Sequence, residues 1–179
     1  MRVLVFLAAM TGVAGAEPVR VGAGLEAGAL ANIHWLGAAA EIEVGVTDHI
    51  AIRATGRLQD FEHPDDECFG SHGRQSDVTI GVRVEIPPPA WARTALPFVA
   101  AEGGVAYERV LDYCPPVVPL TRSTWMARVA GGVDIPLASH LLFRAELRVS
   151  HADFVHTGGW DDKVYNDELS VAAMLVARL

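Results

Sequence analysis

The chain has 179 residues, of which 51% are hydrophobic, and a formal net charge of -8, with Lys163 as its single lysine. It contains no basic cluster of the kind that binds phosphates along a strand, so the composition excludes nucleic acid as a partner. After Glu17 no apolar run approaches the roughly 18 residues of a membrane-spanning helix, so a helical membrane protein is excluded as well.

The first residues have the three-part plan of a secretory signal peptide. Arg2 gives a basic start, an apolar run follows from Val3 to Met10, and the small residues Ala14, Gly15 and Ala16 precede Glu17. The apolar run is too short to cross a bilayer as a helix. We therefore predict a signal peptide at 1–16 and a single mature domain at 17–179.

Apolar and polar residues alternate with a period of two in eight segments, and helical periodicity is hard to find. The segments predict strands at 18–30, 35–46, 49–60, 76–86, 97–109, 123–134, 140–151 and 167–179. Strands of about 10 to 13 residues are longer than the usual five or six residues of a strand in a soluble sheet. They match the roughly 9 to 11 residues with which a tilted strand spans a bilayer. The sequence therefore predicts an all-β fold, an eight-stranded antiparallel up-and-down transmembrane barrel.

The connections between these strands differ in length. Two are tight, at Thr47-Asp48 and at Pro136-Leu137-Ala138, and three are long and polar, at 61–75, 110–122 and 152–166. Two others depart from this pattern. The connection at 31–34 is short although it lies on the side of the long loops, and the connection at 87–96 is long although it lies on the side of the tight turns. Short turns on one side and long loops on the other are typical of outer-membrane barrels.

Alternation alone also fits a secreted soluble barrel or sandwich with its apolar face inside. The polar face, however, is rich in glycine and nearly balanced in charge, which favours a closed lumen because unpaired buried charge is costly. We expect a lumen network in which Glu41 and Glu43 meet Arg53 and Arg57. The other expected members are Arg83, Glu102, Arg128, Arg144, Glu146 and Arg148.

Two cysteines, Cys68 and Cys114, are exported to an oxidising compartment in this interpretation. They fall in the loops after the third and fifth predicted strands, and loops that follow odd-numbered strands emerge on the same side of an up-and-down barrel. The topology therefore predicts a disulfide between them.

The hairpin AGGVDIPLASHLLFRAELRVSH joins a glycine-rich strand to an Arg-Ala-Glu-Leu-Arg strand through a tight turn. With the signal peptide and the eight alternating segments, it resembles the family of eight-stranded outer-membrane barrels, such as the OmpA transmembrane domain, OmpX and Opa. The family usually ends in an aromatic residue, and the last residue here is Leu179.

This resemblance implies a location in the outer membrane of a Gram-negative bacterium. It also implies outer-membrane lipid and lipopolysaccharide as partners, together with an extracellular partner for the long loops, and it implies no cofactor. An eight-stranded barrel is just wide enough for its own side chains, so we expect no diffusion pore. The expected function is structural, adhesive or surface-binding.

One polar segment, HPDDECFGSH, concentrates carboxylates and histidines. Its residues His63, Asp65, Asp66, Glu67 and His72 are of the types that bind Ca²⁺ or a transition metal. Their spacing matches no metal-binding signature, so we interpret the segment as a solvated acidic loop and predict no metal.

A second polar segment suggests an alternative function, an acyl-ester hydrolase embedded in the outer membrane. Ser150, His151, Asp153 and His156 supply the residue types of a nucleophile, a base and an orienting acid. Lipid A deacylase barrels, which this segment resembles, carry Ser two residues after His, whereas Asp153 stands there in this chain. Because adjacent strand residues face opposite ways, Ser150 and His151 are badly placed to pair, and no catalytic residue is assigned.

Three aromatic residues, Tyr107, Trp125 and Phe143, fall on the apolar register near predicted strand ends, where interfacial aromatics lie in membrane barrels. Trp35 falls off that register, and the pattern gives no explanation for it.

Overall fold

The computed structural model describes residues 18–30, 33–63, 71–88, 94–110, 120–152 and 167–179. They form eight long strands, which confirms the predicted all-β class. The strands are β1 (Val19–Leu30), β2 (Ile33–Thr47), β3 (Ile50–His63), β4 (Ser71–Glu85), β5 (Leu96–Val110), β6 (Leu120–Ala138), β7 (Leu141–Ala152) and β8 (Asp167–Arg178).

The strands form a closed antiparallel barrel in which each one pairs with its neighbour in sequence. Closure comes from β1 and β8, which pair from Arg20 opposite Arg178 to Ala29 opposite Leu169. The predicted eight-stranded up-and-down barrel is confirmed, and each of the eight described strands pairs with a neighbour on both sides. Among the described residues no helix is long and apolar enough to cross a membrane.

The strand ends define two rims. The long-loop rim is formed by the end of β1, the start of β2 and the corresponding ends of the other three pairs, including His63 and Ser71. The short-turn rim lies at the opposite end of the barrel. It contains Thr47, Ile50, the start of β1 and the end of β8. Its turn between β2 and β3 is stabilised by the Thr47 hydroxyl, which accepts hydrogen bonds from the backbone N–H groups of His49 (3.3 Å) and Ile50 (3.1 Å).

Two predicted strand boundaries differ from the structure by four or more residues. β4 begins at Ser71, whereas alternation placed its start at 76, because the added residues are polar on both faces. β6 continues through Pro136 to Ala138, so the tight turn follows at 139–140 and not at 136–138. The β6–β7 register shifts between Pro136 and Ala138, and a bulge is where a strand tolerates a proline, which has no N–H to donate.

The two faces of the wall are reversed relative to a soluble barrel. Arg53 and Arg148 are completely buried inside, whereas Leu25 and Val78 on the outer face are 64% and 63% exposed. Soluble proteins rarely expose a continuous apolar surface of this size. This distribution contradicts the soluble barrel or sandwich and suits a wall that faces lipid.

The interior also holds two small apolar clusters. Leu142, Met174 and Val176 pack together on β7 and β8 toward the short-turn rim. Ala106 and Met126 pack together on β5 and β6 in the half nearer the long-loop rim. Between these clusters the interior is filled mainly by charged side chains, which form the candidate site.

Candidate functional site: the charged interior and the barrel rims

Nearest the short-turn rim, two arginines share one carboxylate. Asp134 Oδ1 lies 2.7 Å from Arg144 Nε, and its Oδ2 lies 2.8 Å from both Arg144 Nη2 and Arg83 Nη2. Glu43 adds a contact of 2.5 Å to Arg144 Nη1. Both guanidinium groups lie over the Phe98 ring, at 4.2 Å for Arg83 and 4.8 Å for Arg144, which gives them favourable cation–π contacts.

The middle of the lumen is organised around Arg53. Its Nη2 lies 2.8 Å from Glu41 Oε2 and 2.9 Å from both carboxylate oxygens of Glu146. Its Nε lies 3.1 Å from Glu102 Oε1. The other oxygen of Glu102 lies 3.4 Å from Arg128 Nη1, so this carboxylate joins two arginines.

Toward the long-loop rim, Arg57 takes the corresponding position. Its Nε donates to Asp77 Oδ2 at 2.7 Å, its Nη1 lies 3.1 Å from Glu26 Oε1, and it also pairs with Glu168. Glu26 accepts a second hydrogen bond, 2.7 Å long, from Arg148 Nη1. One carboxylate again bridges two arginines.

Shared carboxylates join the three groups into one network. Glu41 contacts both Arg53 and Arg144, and Glu146 contacts both Arg53 and Arg148. Charges in a low-dielectric space are tolerated only when they are paired and hydrogen-bonded, and bidentate arginine contacts satisfy this condition well. The network therefore fills the lumen with mutually fixed side chains.

The ten network residues expected from the sequence all lie in the lumen, although not all of the expected contacts occur. Arg53 contacts Glu41, but among the described residues Arg57 forms no ion pair with Glu41 or Glu43. Four buried carboxylates that were not included in the prediction complete the network. They are Glu26, Asp77, Asp134 and Glu168. The sequence could have indicated them, because each lies at an alternating strand position that faces the lumen.

Trp35, which the pattern did not explain, is a lumen residue with 7% of its surface exposed. A Cβ at Gly28 on the neighbouring strand would lie within 2.8 Å of Trp35 Nε1, so only glycine leaves room for the ring. Arg57 Cζ lies 5.4 Å from the ring centroid. The glycine-rich polar face thus makes space for large side chains inside a narrow barrel.

At the short-turn rim the lumen opens into a cavity of about 170 Å³, lined in part by Arg20, Glu43, His49 and Arg83. Glu85 Oε1 lies 2.6 Å from Arg20 Nη1 and 2.7 Å from Arg83 Nη1. Because Glu43 and Arg83 belong to the network, the cavity ends where the network begins.

The hydrolase candidates are separated by the barrel wall. Ser150 points into the lumen, where its Oγ accepts a 3.0 Å hydrogen bond from Arg128 Nε. His151 lies on the outer wall with its Nδ1 2.7 Å from Asp167 Oδ1, and its ring is 5.6 Å from that of Trp125. Ser150 therefore cannot serve as a nucleophile for His151. Asp153 and His156 lie outside the described residues.

Other candidates also fall outside the part of the chain that the structure describes. Cys68 and Cys114 do, as do Asp65, Asp66 and Glu67, and nothing is described of the side chains of His63 and His72. Among the described residues there is no group of three or more metal-ligating side chains.

No protein-family model and no curated protein matches the sequence. Solved structures do match. Neisserial surface protein A is 10% identical, with 90% of this chain and 96% of that one covered and a TM-score of 0.61. The N-terminal β-barrel domain of Pseudomonas aeruginosa OprF is 13% identical, with 91% and 98% covered and a TM-score of 0.56.

A third match is Ail, the attachment invasion locus protein of Yersinia pestis, which is 7% identical, with 90% and 96% covered and a TM-score of 0.54. At these identities the comparison concerns the fold. The chain has the fold of the eight-stranded outer-membrane β-barrels over almost its whole length.

Proposed function

We propose that this protein is an integral barrel of the outer membrane of a Gram-negative bacterium that conducts no solutes and holds its long loops at the cell surface for binding or adhesion. The observation that carries the proposal is the reversed distribution of polarity. Paired arginines and carboxylates fill the inside, and the outer wall between the two rims is apolar. Water-filled transport would need a lumen that these side chains occupy.

The chemistry of the loop sequences narrows the class of surface partner. The segments 64–70, 111–119 and 153–166 carry more Asp and Glu than Lys and Arg. Ail has been solved in complex with the heparin analogue sucrose octasulfate. For this chain acidic loops disfavour such a polyanion, and we propose a protein surface of neutral or positive charge as the partner.

The location and the absence of a pore can be tested together. The protein is expected to fractionate with outer membranes and to change its gel mobility on boiling, because a closed barrel resists detergent until it is heated. In planar bilayers the refolded protein is expected to give no conductance steps. A protein that stays in the periplasmic fraction, or that gives regular conductance steps, would contradict the proposal.

The binding role is tested by replacing the loops while the barrel strands are left unchanged. Replacing 64–70 and 153–166 with Gly-Ser segments of equal length is expected to abolish attachment of expressing cells to a host-cell or partner-cell layer while leaving heat-modifiability intact. A matched control replaces only the short turn at 48–49. Unchanged attachment after both loop replacements would remove the binding role.

Lipid A mass spectrometry separates this proposal from the hydrolase alternative. Cells with and without the gene are expected to have the same acylation pattern, because Ser150 and His151 face opposite sides of the wall. Loss of one acyl chain only in expressing cells would favour the hydrolase.

A further inference from the structure

The outward-facing residues of the wall change from apolar to charged just below the long-loop rim. On β4 the outward residues are apolar from Val84 back to Val78, and Arg74 lies nearer the long-loop rim. On β5 the outward residues Val105 and Tyr107 are followed by Arg109 in the same way. The outward-facing charges of the described strands are confined to this end of the wall and the opposite turns.

Arg74 and Arg109 are direct cross-strand partners in the β4–β5 pairing. Paired Cα atoms of antiparallel strands lie about 4.5 to 5.5 Å apart, and like charges placed opposite each other in this way are destabilising. Repulsion between the two guanidinium groups therefore destabilises this arrangement. An anion bound between them would remove the repulsion.

One of the two charges is already balanced. Asp60, the cross-strand partner of Arg74 on β3, has its Oδ1 2.7 Å from Arg74 Nε, and both side chains are more than half exposed. Arg109 forms no ion pair with any other residue that the structure describes. The patch of Asp60, Arg74 and Arg109 therefore keeps one uncompensated positive charge on a wall that is mostly apolar.

The residues beneath the patch fix its depth. Tyr107 is 47% exposed on the outer wall and lies two residues from Arg109 toward the middle of β5. Its cross-strand partners are Ser76 and Ser123. Aromatic rings with a polar end mark the boundary between acyl chains and headgroups in membrane barrels. The two arginines thus lie at headgroup level.

We infer that Arg74 and Arg109 form a binding site for a phosphate group of lipid A, whose acyl chains then lie along the apolar wall of β4 and β5. The inference rests on the proposed outer-membrane location and adds a specific lipid contact to it. Guanidinium groups are suited to phosphate because their paired N–H donors match its oxygens. Lipid A is the occupant because the patch is at the long-loop rim, which faces the outer leaflet, and not at the short-turn rim.

Native mass spectrometry of the refolded protein in detergent tests the site, with bisphosphorylated lipid A, dephosphorylated lipid A and phosphatidylglycerol as probes. The bisphosphorylated form is expected to bind most tightly. Arg109→Gln is expected to weaken it about fivefold, and the Arg74→Gln/Arg109→Gln pair about 25-fold, from roughly 1 kcal/mol for each arginine near an anionic lipid surface.

Two control variants make the test specific. Arg178→Gln removes the same charge at the short-turn rim and is expected to leave lipid A binding unchanged. Asp60→Asn is expected to strengthen binding, because it releases Arg74 from its carboxylate. Equal binding of wild type and the double variant, equal binding of dephosphorylated lipid A or phosphatidylglycerol, or weaker binding by Asp60→Asn would each overturn the inference. Failure to fractionate with outer membranes would instead overturn the proposed function.

Discussion

Arg53 and Glu146 are 93 residues apart in sequence, yet the Nη2 atom of Arg53 lies 2.9 Å from each carboxylate oxygen of Glu146 inside the barrel. The contact joins β3 to β7, which are not neighbours in the sheet. Ion pairs of this kind connect the walls across the lumen, so they fix the barrel's cross-section in addition to closing its interior.

Removing a network arginine should therefore destabilise the barrel strongly. Arg53→Met leaves Glu41, Glu102 and Glu146 without their shared cation, at an expected cost on the order of 3 to 5 kcal/mol. Urea unfolding in lipid vesicles, followed by tryptophan fluorescence, measures it. The double variant Arg53→Met/Glu146→Gln should cost less than the sum of the two single changes, because each removes the other's partner.

Arg57→Ala and Glu43→Ala should behave like Arg53→Met, since both residues are buried in the same network. Arg74→Ala is the control in vesicles that contain no lipid A, because its exposed pair with Asp60 lies at the outer rim and outside the lumen network, so its loss should change unfolding little. If the lumen variants and the control unfold at the same urea concentration, the charged face is in water and the orientation of the wall is wrong.

The sequence predicted the faces of the strands better than the contacts between them. Alternation alone assigns Glu41 and Arg53 to one face, because side chains change sides at every residue. It does not determine which groups meet across the lumen, since that depends on barrel stagger and side-chain conformation. For this reason Arg57 was expected beside Glu43 but contacts Glu26, Asp77 and Glu168.

Boundaries were predicted less well where the apolar signal ends before the strand does. At the start of β4 both faces are polar, so the period of two becomes invisible in the sequence although the backbone pairing continues, as with Arg74 opposite Asp60. At the end of β6, Pro136 indicates a turn, yet the bulge beside it lets the strand continue.

Substitution by alanine should destabilise the barrel at one of two adjacent glycines on β5 and should be tolerated at the other. An added Cβ at Gly104 would collide with the backbone carbonyl oxygen of Val78 and lie 2.7 Å from the Cα of Thr79, whereas at Gly103 the nearest atom is 3.9 Å away. Gly104→Ala should therefore destabilise by about 1 to 3 kcal/mol or prevent refolding, while Gly103→Ala should be nearly neutral.

Heat-modifiability on gels and urea unfolding measure both glycine variants. The pair is well matched, because the two residues are neighbours on one strand and differ in the face they occupy. A destabilised Gly103→Ala beside a tolerated Gly104→Ala would reverse the assignment of lumen and lipid sides.

The position of two tryptophans gives an independent measure of the wall's orientation. Trp125 is 55% exposed on the outer face, and Trp35 is 7% exposed inside. In variants that retain only one tryptophan, phospholipids brominated high on the acyl chain should quench Trp125 more strongly than Trp35. Quenching of Trp35 that equals or exceeds that of Trp125 would contradict the placement of the apolar face against lipid.

The disulfide between Cys68 and Cys114 stays a prediction that the strand topology supports. β3 ends at His63 and β5 ends at Val110, so both segments that contain a cysteine leave the barrel at the long-loop rim, and β4 pairs directly with β5. A bond there would close a loop of about 47 residues and stabilise the folded protein by roughly 4 kcal/mol at most on the chain-entropy account. Intact, unreduced protein should take up no thiol reagent.

Reduction should increase hydrogen exchange in 64–70 and 111–119 while the strands stay protected, because the ladder hydrogen bonds do not depend on the bond between the loops. A variant with both cysteines changed to serine should exchange like the reduced protein and serves as its control. Two free thiols in freshly isolated protein would exclude the disulfide, and with it the rigid link between the two loops that a surface-binding role would use.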